Sequence, residues 1–223
     1  MEQFTLLSDT YSYEQIRDCI CIRVINQEHY RKELEHLMFI PWEDLAVIFY
    51  YLDSEAGMEH PLFRADLDNW GLNPYELLRQ AATQSRILHP PIFKTMREIL
   101  QMPPAAGEEE IPLYVLTCKE EGYGAASMLY PGLLAEIAEQ LKGDLYVVPS
   151  SVHELILLQT QRLQEPQGLI SIIADVNRTV VLPGDFLSDS LYVYRRRKGE
   201  LERYQGTVRL ESTSDRSRSS LLF

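Results

Sequence analysis

Residues 145–158, LYVVPSSVHELILL, are two apolar runs facing each other across a corner, and they set the fold class. Leu145–Val148 and Leu155–Gln159 are short, rich in Val, Ile, Leu and Tyr, and separated by Pro-Ser-Ser-x-His-Glu. That is the pattern of two antiparallel strands joined by a tight turn. The segment that follows, GLISIIADVN, carries apolar residues at helical spacing, so the local unit is strand, strand, helix.

The same unit recurs upstream without repeating letters. Leu113–Lys119 and Ala125–Tyr130 read as strands around a Glu121-Gly122-Tyr123-Gly124 turn, and PGLLAEIAEQLK reads as a helix stopped by Gly143. Further back, Asp44–Leu52 and Leu62–Leu67 read as strands, and Asn73-Pro74-Tyr75-Glu76 opens a helix whose apolar face is Leu77, Leu78 and Ala81. LYVYRR and ELERY, meeting at Lys198-Gly199, close the series as a hairpin. Three strand-strand-helix units and a closing hairpin predict an α+β fold, a mostly antiparallel sheet with helices packed on it.

An N-terminal helix is expected ahead of these units. Ser12 and Gln15 have capping-box spacing, and Ile16, Cys19, Ile20 and Val24 share one helical face. Cys21 then stands about 200° round the helix from Cys19, which argues against a Cys-x-Cys metal clip. Pro91–Leu100 reads as an extra helix. Residues 102–110, MPPAAGEEE, read as an exposed linker and mark the one place where a boundary would fall within a single domain over residues 1–210. The Ser- and Arg-rich residues 211–223 are expected to be disordered.

With 45% hydrophobic and 24% charged residues, the 223-residue chain is ordinary globular material and buries a core without metals or disulfides. Three cysteines, an odd number with Cys19 and Cys21 almost adjacent, do not form a secreted disulfide framework. The first ten residues lack a signal-peptide pattern, and no window approaches the roughly 20 apolar residues of a membrane span. A cytoplasmic location away from membranes is the expectation. The net charge of −12 is uneven: residues 1–110 hold nineteen acids against nine bases, residues 111–223 fourteen against twelve. Such a surface repels nucleic acid and anionic lipid. The exception is Arg195-Arg196-Arg197-Lys198, which reads either as a solvated hairpin tip or as a patch for an anion or acidic partner.

Candidate chemistry gathers at the quoted corner. Ser151-Val152-His153-Glu154 has the spacing of a capping box, a purely structural role. Its functional alternative makes Ser150 or Ser151 a nucleophile and His153 a general base held by Glu154, Asp185 or Asp189. Adjacent His153 and Glu154 point apart in any regular element, which weakens their pairing. No Gly-x-Ser-x-Gly elbow is present, and Leu157 stands where a His-Glu-x-x-His zinc motif needs its second histidine. Tyr123 and its flanking glycines lack the spacing and lysine of a phosphate loop. Asp185 and Asp189 with their neighbouring serines fit turn and cap chemistry better than a cation site. Cys118 is expected to be a packed or half-exposed thiol and His29 and His36 surface residues. Neither a cofactor nor a metal is called for.

WEDLAVIFYYLD, LYVLTCKEEGYGAASMLYPGLLAEIAEQLKGDLYVVPSSVHELILL and DVNRTVVLPGDFLSDSLYVYRR, in this order, resemble an uncharacterised domain-of-unknown-function family of gut Firmicutes. The resemblance spans most of residues 12–197 and is most specific at Tyr130-Pro131-Gly132, Pro149-Ser150-Ser151 with His153-Glu154, Asp175-Val176-Asn177 and Leu187-Ser188-Asp189. It implies a bacterial cytoplasmic protein, no assigned activity, and an N-terminus shorter than that of other members.

Two functions of different class follow. The first is a non-enzymatic module for a protein partner or a small polar ligand, using the acidic first half and tyrosines such as Tyr50, Tyr51, Tyr192 and Tyr194. The second is a small-molecule hydrolase or transferase that uses Ser150–Glu154 with Asp185 or Asp189.

Overall fold

The structure, a computed structural model, describes residues 5–53, 55–103, 111–119, 122–163 and 166–205. Among these residues ten strands form two antiparallel sheets. β1 (Ile20–Asn26), β2 (Phe39–Trp42), β3 (Leu45–Asp53) and β4 (Met58–Pro61) make the first, with β3 paired to β1 along one side and to β2 then β4 along the other. β5 (Pro91–Thr95), β6 (Tyr114–Cys118), β7 (Leu145–Ser151), β8 (Glu154–Gln159), β9 (Tyr192–Arg195) and β10 (Glu200–Arg203) make the second, in the order β10-β9-β7-β8-β6-β5. The helices are α1 (Tyr13–Ile16), α2 (Arg64–Trp70), α3 (Pro74–Leu88), α4 (Met96–Ile99), α5 (Leu133–Leu141) and α6 (Gln167–Thr179). This is the α+β class that the alternating runs predict.

Helix α3 shows how local chemistry places an element. The Asn73 side chain accepts the Tyr75 and Glu76 amides at 2.9 and 3.4 Å, and Pro74 fills the first turn, where its missing N–H is not needed. Its apolar face buries Leu77, Leu78, Ala81 and Ala82 beside β1. Ser85 Oγ accepts the Ile22 amide at 2.9 Å, so the open side of β1 is capped by a helix side chain instead of another strand. Burying those four side chains contributes on the order of 5 kcal/mol before chain entropy is counted.

Between the sheets runs a fully buried 3₁₀ segment, Gly124–Leu129, which touches β1, β6, β8, α3 and α5. The largest apolar cluster includes residues of both sheets, from Ile20 and Phe49 to Leu155 and Leu201. The Ala125–Tyr130 strand of the sequence reading is therefore a tight helix. Gly-Ala-Ala-Ser has little strand preference, and its small side chains let neighbouring backbones close in.

Three other elements differ from expectation. The Ser12–Gln15 capping box forms, with Gln15 Oε1 accepting the Ser12 amide at 2.8 Å, but it caps a single turn before a strand begins. ICIRVIN is buried on both faces, so its apolar run lacks the alternation that separates strand from helix. Cys21 is consequently the core thiol and Cys19 the half-exposed one, the reverse of the helical reading. The expected Leu62–Leu67 strand is really the two-residue connection Leu62-Phe63 and the first turn of α2. Asp66, fully buried, draws the turn closed by accepting the Phe63 amide at 2.9 Å and the Ser8 amide at 2.8 Å. Pro91–Leu100 divides into edge strand β5, where a leading proline is tolerated, and the one-turn α4 capped by Thr95 and Glu98. Most of the expected linker (104–110) and all of the expected tail (211–223) lie outside the described residues.

Candidate functional site

The corner of LYVVPSSVHELILL is a β-hairpin turn and not a helix cap. Ser151 and Glu154 face each other across the β7–β8 ladder, and Val152 and His153 make the turn. Ser151 Oγ accepts the His153 amide at 3.1 Å, so the serine does satisfy an orphan donor, as capping chemistry would, but inside a hairpin. Ser150 occupies a bulge where the register between Pro149 and Ser151 slips by one residue.

The turn is fastened from three sides. The Val152 amide donates to the Asp185 carbonyl at 2.9 Å, the Val152 carbonyl accepts the Ala125 amide at 3.1 Å, and the His153 carbonyl accepts the Thr117 hydroxyl at 2.8 Å. Gly124 allows this approach. A Cβ there would lie 2.3 Å from the His153 carbonyl oxygen and 2.7 Å from the Cys118 amide nitrogen. Just before it, Tyr123 takes a left-handed conformation (φ 58°) that turns the chain from β6 into the 3₁₀ segment.

His153 and Asp185, both half-buried, meet here at 3.1 Å between Nε2 and Oδ1. The Tyr123 amide donates to His153 Nδ1 at 3.4 Å. A ring that accepts at Nδ1 donates at Nε2, so these two contacts select the neutral tautomer with its proton directed at Asp185. Asp185 is thus the carboxylate that holds His153, brought in by the Pro183–Asp185 turn. Glu154 and Asp189 are not its partners. Asp189 instead accepts the Asn177 side-chain amide at 2.8 Å. Ser151 reaches only the backbone of His153, and neither serine is hydrogen-bonded to the ring.

Beside the corner stands Arg23, which the sequence reading passed over. Its guanidinium lies 3.6 Å from the Tyr123 ring centroid and 4.1 Å from that of Tyr50, and it pairs with Glu59. A cation clamped between two aromatic faces and a carboxylate is held in one orientation. The signal was present: an arginine inside the apolar run Ile20–Ile25 needs a partner once that run is a buried strand. Tyr50 in turn shares a 3.0 Å hydrogen bond with His89 Nε2, and burial pushes its phenol pKa well up.

The remaining candidates are structural. Burial pushes the Cys21 thiol up to about 11, against the lowering effect of its Ser85 and Tyr50 contacts, and raises Cys118 as well. Both thiols therefore stay protonated at neutral pH and are poor nucleophiles. Tyr50, Tyr192 and Tyr194 are buried, so of the four tyrosines offered for partner contact only Tyr51 remains at the surface. The Leu187–Ser190 turn is bound up in the interior: Ser188 and Ser190 donate to Asp44 at 2.5 and 3.1 Å, Tyr192 donates to the same carboxylate, and Asn26 donates to the Leu187 carbonyl at 2.9 Å.

Among the described residues no group of three or more His, Cys, Asp or Glu side chains could hold a metal ion, and no helix is long and apolar enough to cross a membrane. Residues 2–196 match the model of a family of unknown function, DUF5688. No curated protein and no solved structure matches.

Proposed function

The chain belongs to the DUF5688 family, to which no activity is assigned, and from its own geometry we propose that it is a non-enzymatic binding module. The observation that carries this reading is the commitment of both His153 ring nitrogens, one to the Tyr123 amide and one to Asp185. A general base needs a ring lone pair aimed at a substrate proton. Here that lone pair is spent on the protein's own backbone. What the corner offers outward is a fixed set of groups, the half-exposed His153, Asp185 and Tyr123 and the exposed Glu59, braced by Arg23. Rigid polar and aromatic groups of this kind suit recognition of a small polar ligand or a partner segment.

One observation favours the second reading, a hydrolase or transferase. The His153–Asp185 contact at 3.1 Å is the orienting half of a catalytic triad, and the 3.4 Å bond at Nδ1 is weak enough to open. That reading requires Ser150 to reach the freed nitrogen.

Affinity capture of the full chain from host lysate, followed by native and denaturing mass spectrometry, separates the two. A non-covalent companion present on the wild type and lost from Asp185→Asn, at unchanged melting temperature, supports a binding corner. Equal capture by the variant sinks it. A covalent adduct on Ser150 that survives denaturation would establish the enzyme instead.

A further inference from the structure

A second region, which shares no residue with the His153 corner, carries charge of the opposite sign to the protein as a whole. The C-terminal end of α5, the Lys142–Asp144 loop that leads into β7, the Thr160–Gln161 turn and the β9–β10 hairpin enclose an open cleft of about 700 Å³. Lys142, Arg195, Arg196, Arg197 and Lys198 line it, with Glu139 and Asp144 as the acids among its described lining residues. Five cations against two carboxylates is a concentration of positive charge in a chain whose net charge is −12.

The acids are already in use. Glu139 accepts Arg196 Nε at 2.6 Å, and Asp144 accepts the Arg196 amide at 3.0 Å and Arg195 Nη1 at 3.5 Å. Arg195 is further held by Glu202 at 2.9 Å. These pairs brace the hairpin, and the Lys198 and Gly199 amides close its turn on the Arg195 carbonyl at 3.0 and 2.9 Å. Arg197, Lys198 and Lys142 remain: all three are exposed, and they make no ion pair among the described residues. Lys142 is presented by a left-handed helix cap (φ 59°). Three uncommitted cations are thus set on two rigid turns around a cavity of ligand size.

We propose that this cleft binds a small, multiply charged anion whose phosphate or carboxylate oxygens bridge Lys142, Arg197 and Lys198. Its volume suits a compact metabolite, and the acidic remainder of the molecule opposes a nucleic acid.

Calorimetric titration of the full chain with pyrophosphate and, separately, with citrate tests this. Saturable binding of either probe is expected, and the stronger of the two identifies the anion type. The double substitution Arg197→Ala/Lys198→Ala should weaken it by at least about tenfold, since each charge-assisted hydrogen bond is worth about that factor. Asp185→Asn, at the other site, should change it less than about twofold. These positions are exposed, and an unchanged melting temperature will show that the double variant is folded. Absence of binding to both probes, or equal binding by the double variant, overturns the proposal.

Discussion

Replacing Asp44 by alanine should destabilise this protein severely, although removing one acid from a chain of net charge −12 would by charge alone relieve repulsion. The reason is where the carboxylate sits. It precedes β3 and accepts three hydroxyls from the far end of the chain, Ser188 at 2.5 Å, Ser190 at 3.1 Å and Tyr192. Ser188 and Tyr192 are fully buried and Ser190 is 7% exposed, so water cannot take the place of the lost acceptor. A hydrogen bond to a charged group contributes about 1.5–3 kcal/mol, and an orphaned buried donor costs about 1–3 kcal/mol. Three such donors share one acceptor and can relax together, which brings the expected loss to about 3–5 kcal/mol against a typical total of roughly 5–15 kcal/mol.

Urea denaturation followed by tryptophan fluorescence is the assay. Trp42 stacks on Tyr192 with centroids 5.1 Å apart and so reports on this junction. Asp44→Asn keeps one acceptor oxygen and should lose only about 1–2 kcal/mol. In a double-mutant cycle, Asp44→Ala and Tyr192→Phe should couple by at least about 1 kcal/mol, because each removes the same bond. A loss below about 1 kcal/mol for Asp44→Ala, at unchanged denaturant slope, would refute the argument that this carboxylate ties the two sheets.

Gly124→Ala should cost about 2–3 kcal/mol, read by the same denaturation, because its Cβ meets backbone atoms that cannot swing aside. Stability should fall above pH 9: the folded-state pKa of Cys21 is raised to about 11, so the folded form binds the proton more tightly than the unfolded chain. That contribution is intact below the ordinary thiol pKa and is lost as pH rises through 11, by roughly 2–3 kcal/mol, and Cys21→Ala should flatten the slope. Under native conditions at pH 8 a thiol reagent should label Cys19 quickly and the buried Cys21 and Cys118 only at the rate of unfolding, a distinction that peptide mapping reads directly. Lys142→Gly should raise stability by about 0.5–1 kcal/mol by relieving its left-handed backbone while weakening anion binding in the cleft, so melting temperature and affinity should move in opposite directions.

The sequence was most legible where pattern and propensity agree. The β7–β8 and β9–β10 hairpins and helices α3, α5 and α6 carry strand or helix periodicity, with an Asn-Pro start for α3 and a Gly143 stop for α5, and they stand close to where those signals put them. It was least legible where an element is buried on all sides. ICIRVIN and GAASML have no solvent-facing stripe, so periodicity had nothing to report. At the corner, residue type singled out His153 and Asp185 as partners, but choosing Asp185 over Glu154 and Asp189 depended on the Pro183–Asp185 turn docking beside the hairpin, a contact 32 residues apart in the chain. Arg23, Asp44 and Lys142 were missed because each acts through tertiary neighbours.

The segments that look most like motifs turn out to converge on one seam. Residues 183–190 bind β1 through Asn26, the start of β3 through Asp44, the β7–β8 turn through Val152 and His153, and α6 through Asn177, which donates to the Ser188 carbonyl at 2.9 Å. An irregular stretch partly buried between two sheets cannot satisfy its buried polar groups by a ladder, so each of those must find a named side chain or backbone partner. A Ser-Asp-Ser turn, a buried Asn and a Pro-Ser-Ser corner are what such a seam requires whether or not chemistry takes place there. The buried groups consumed in this way, Asn26, Asn177, Ser188 and Ser190, are poor candidates for binding anything else, whereas the half-buried His153 and Asp185 still face outward. Unpaired positive charge gathers instead at Lys142, Arg197 and Lys198, on the cleft beside the β9–β10 hairpin, and it is there that a small anion gains by binding.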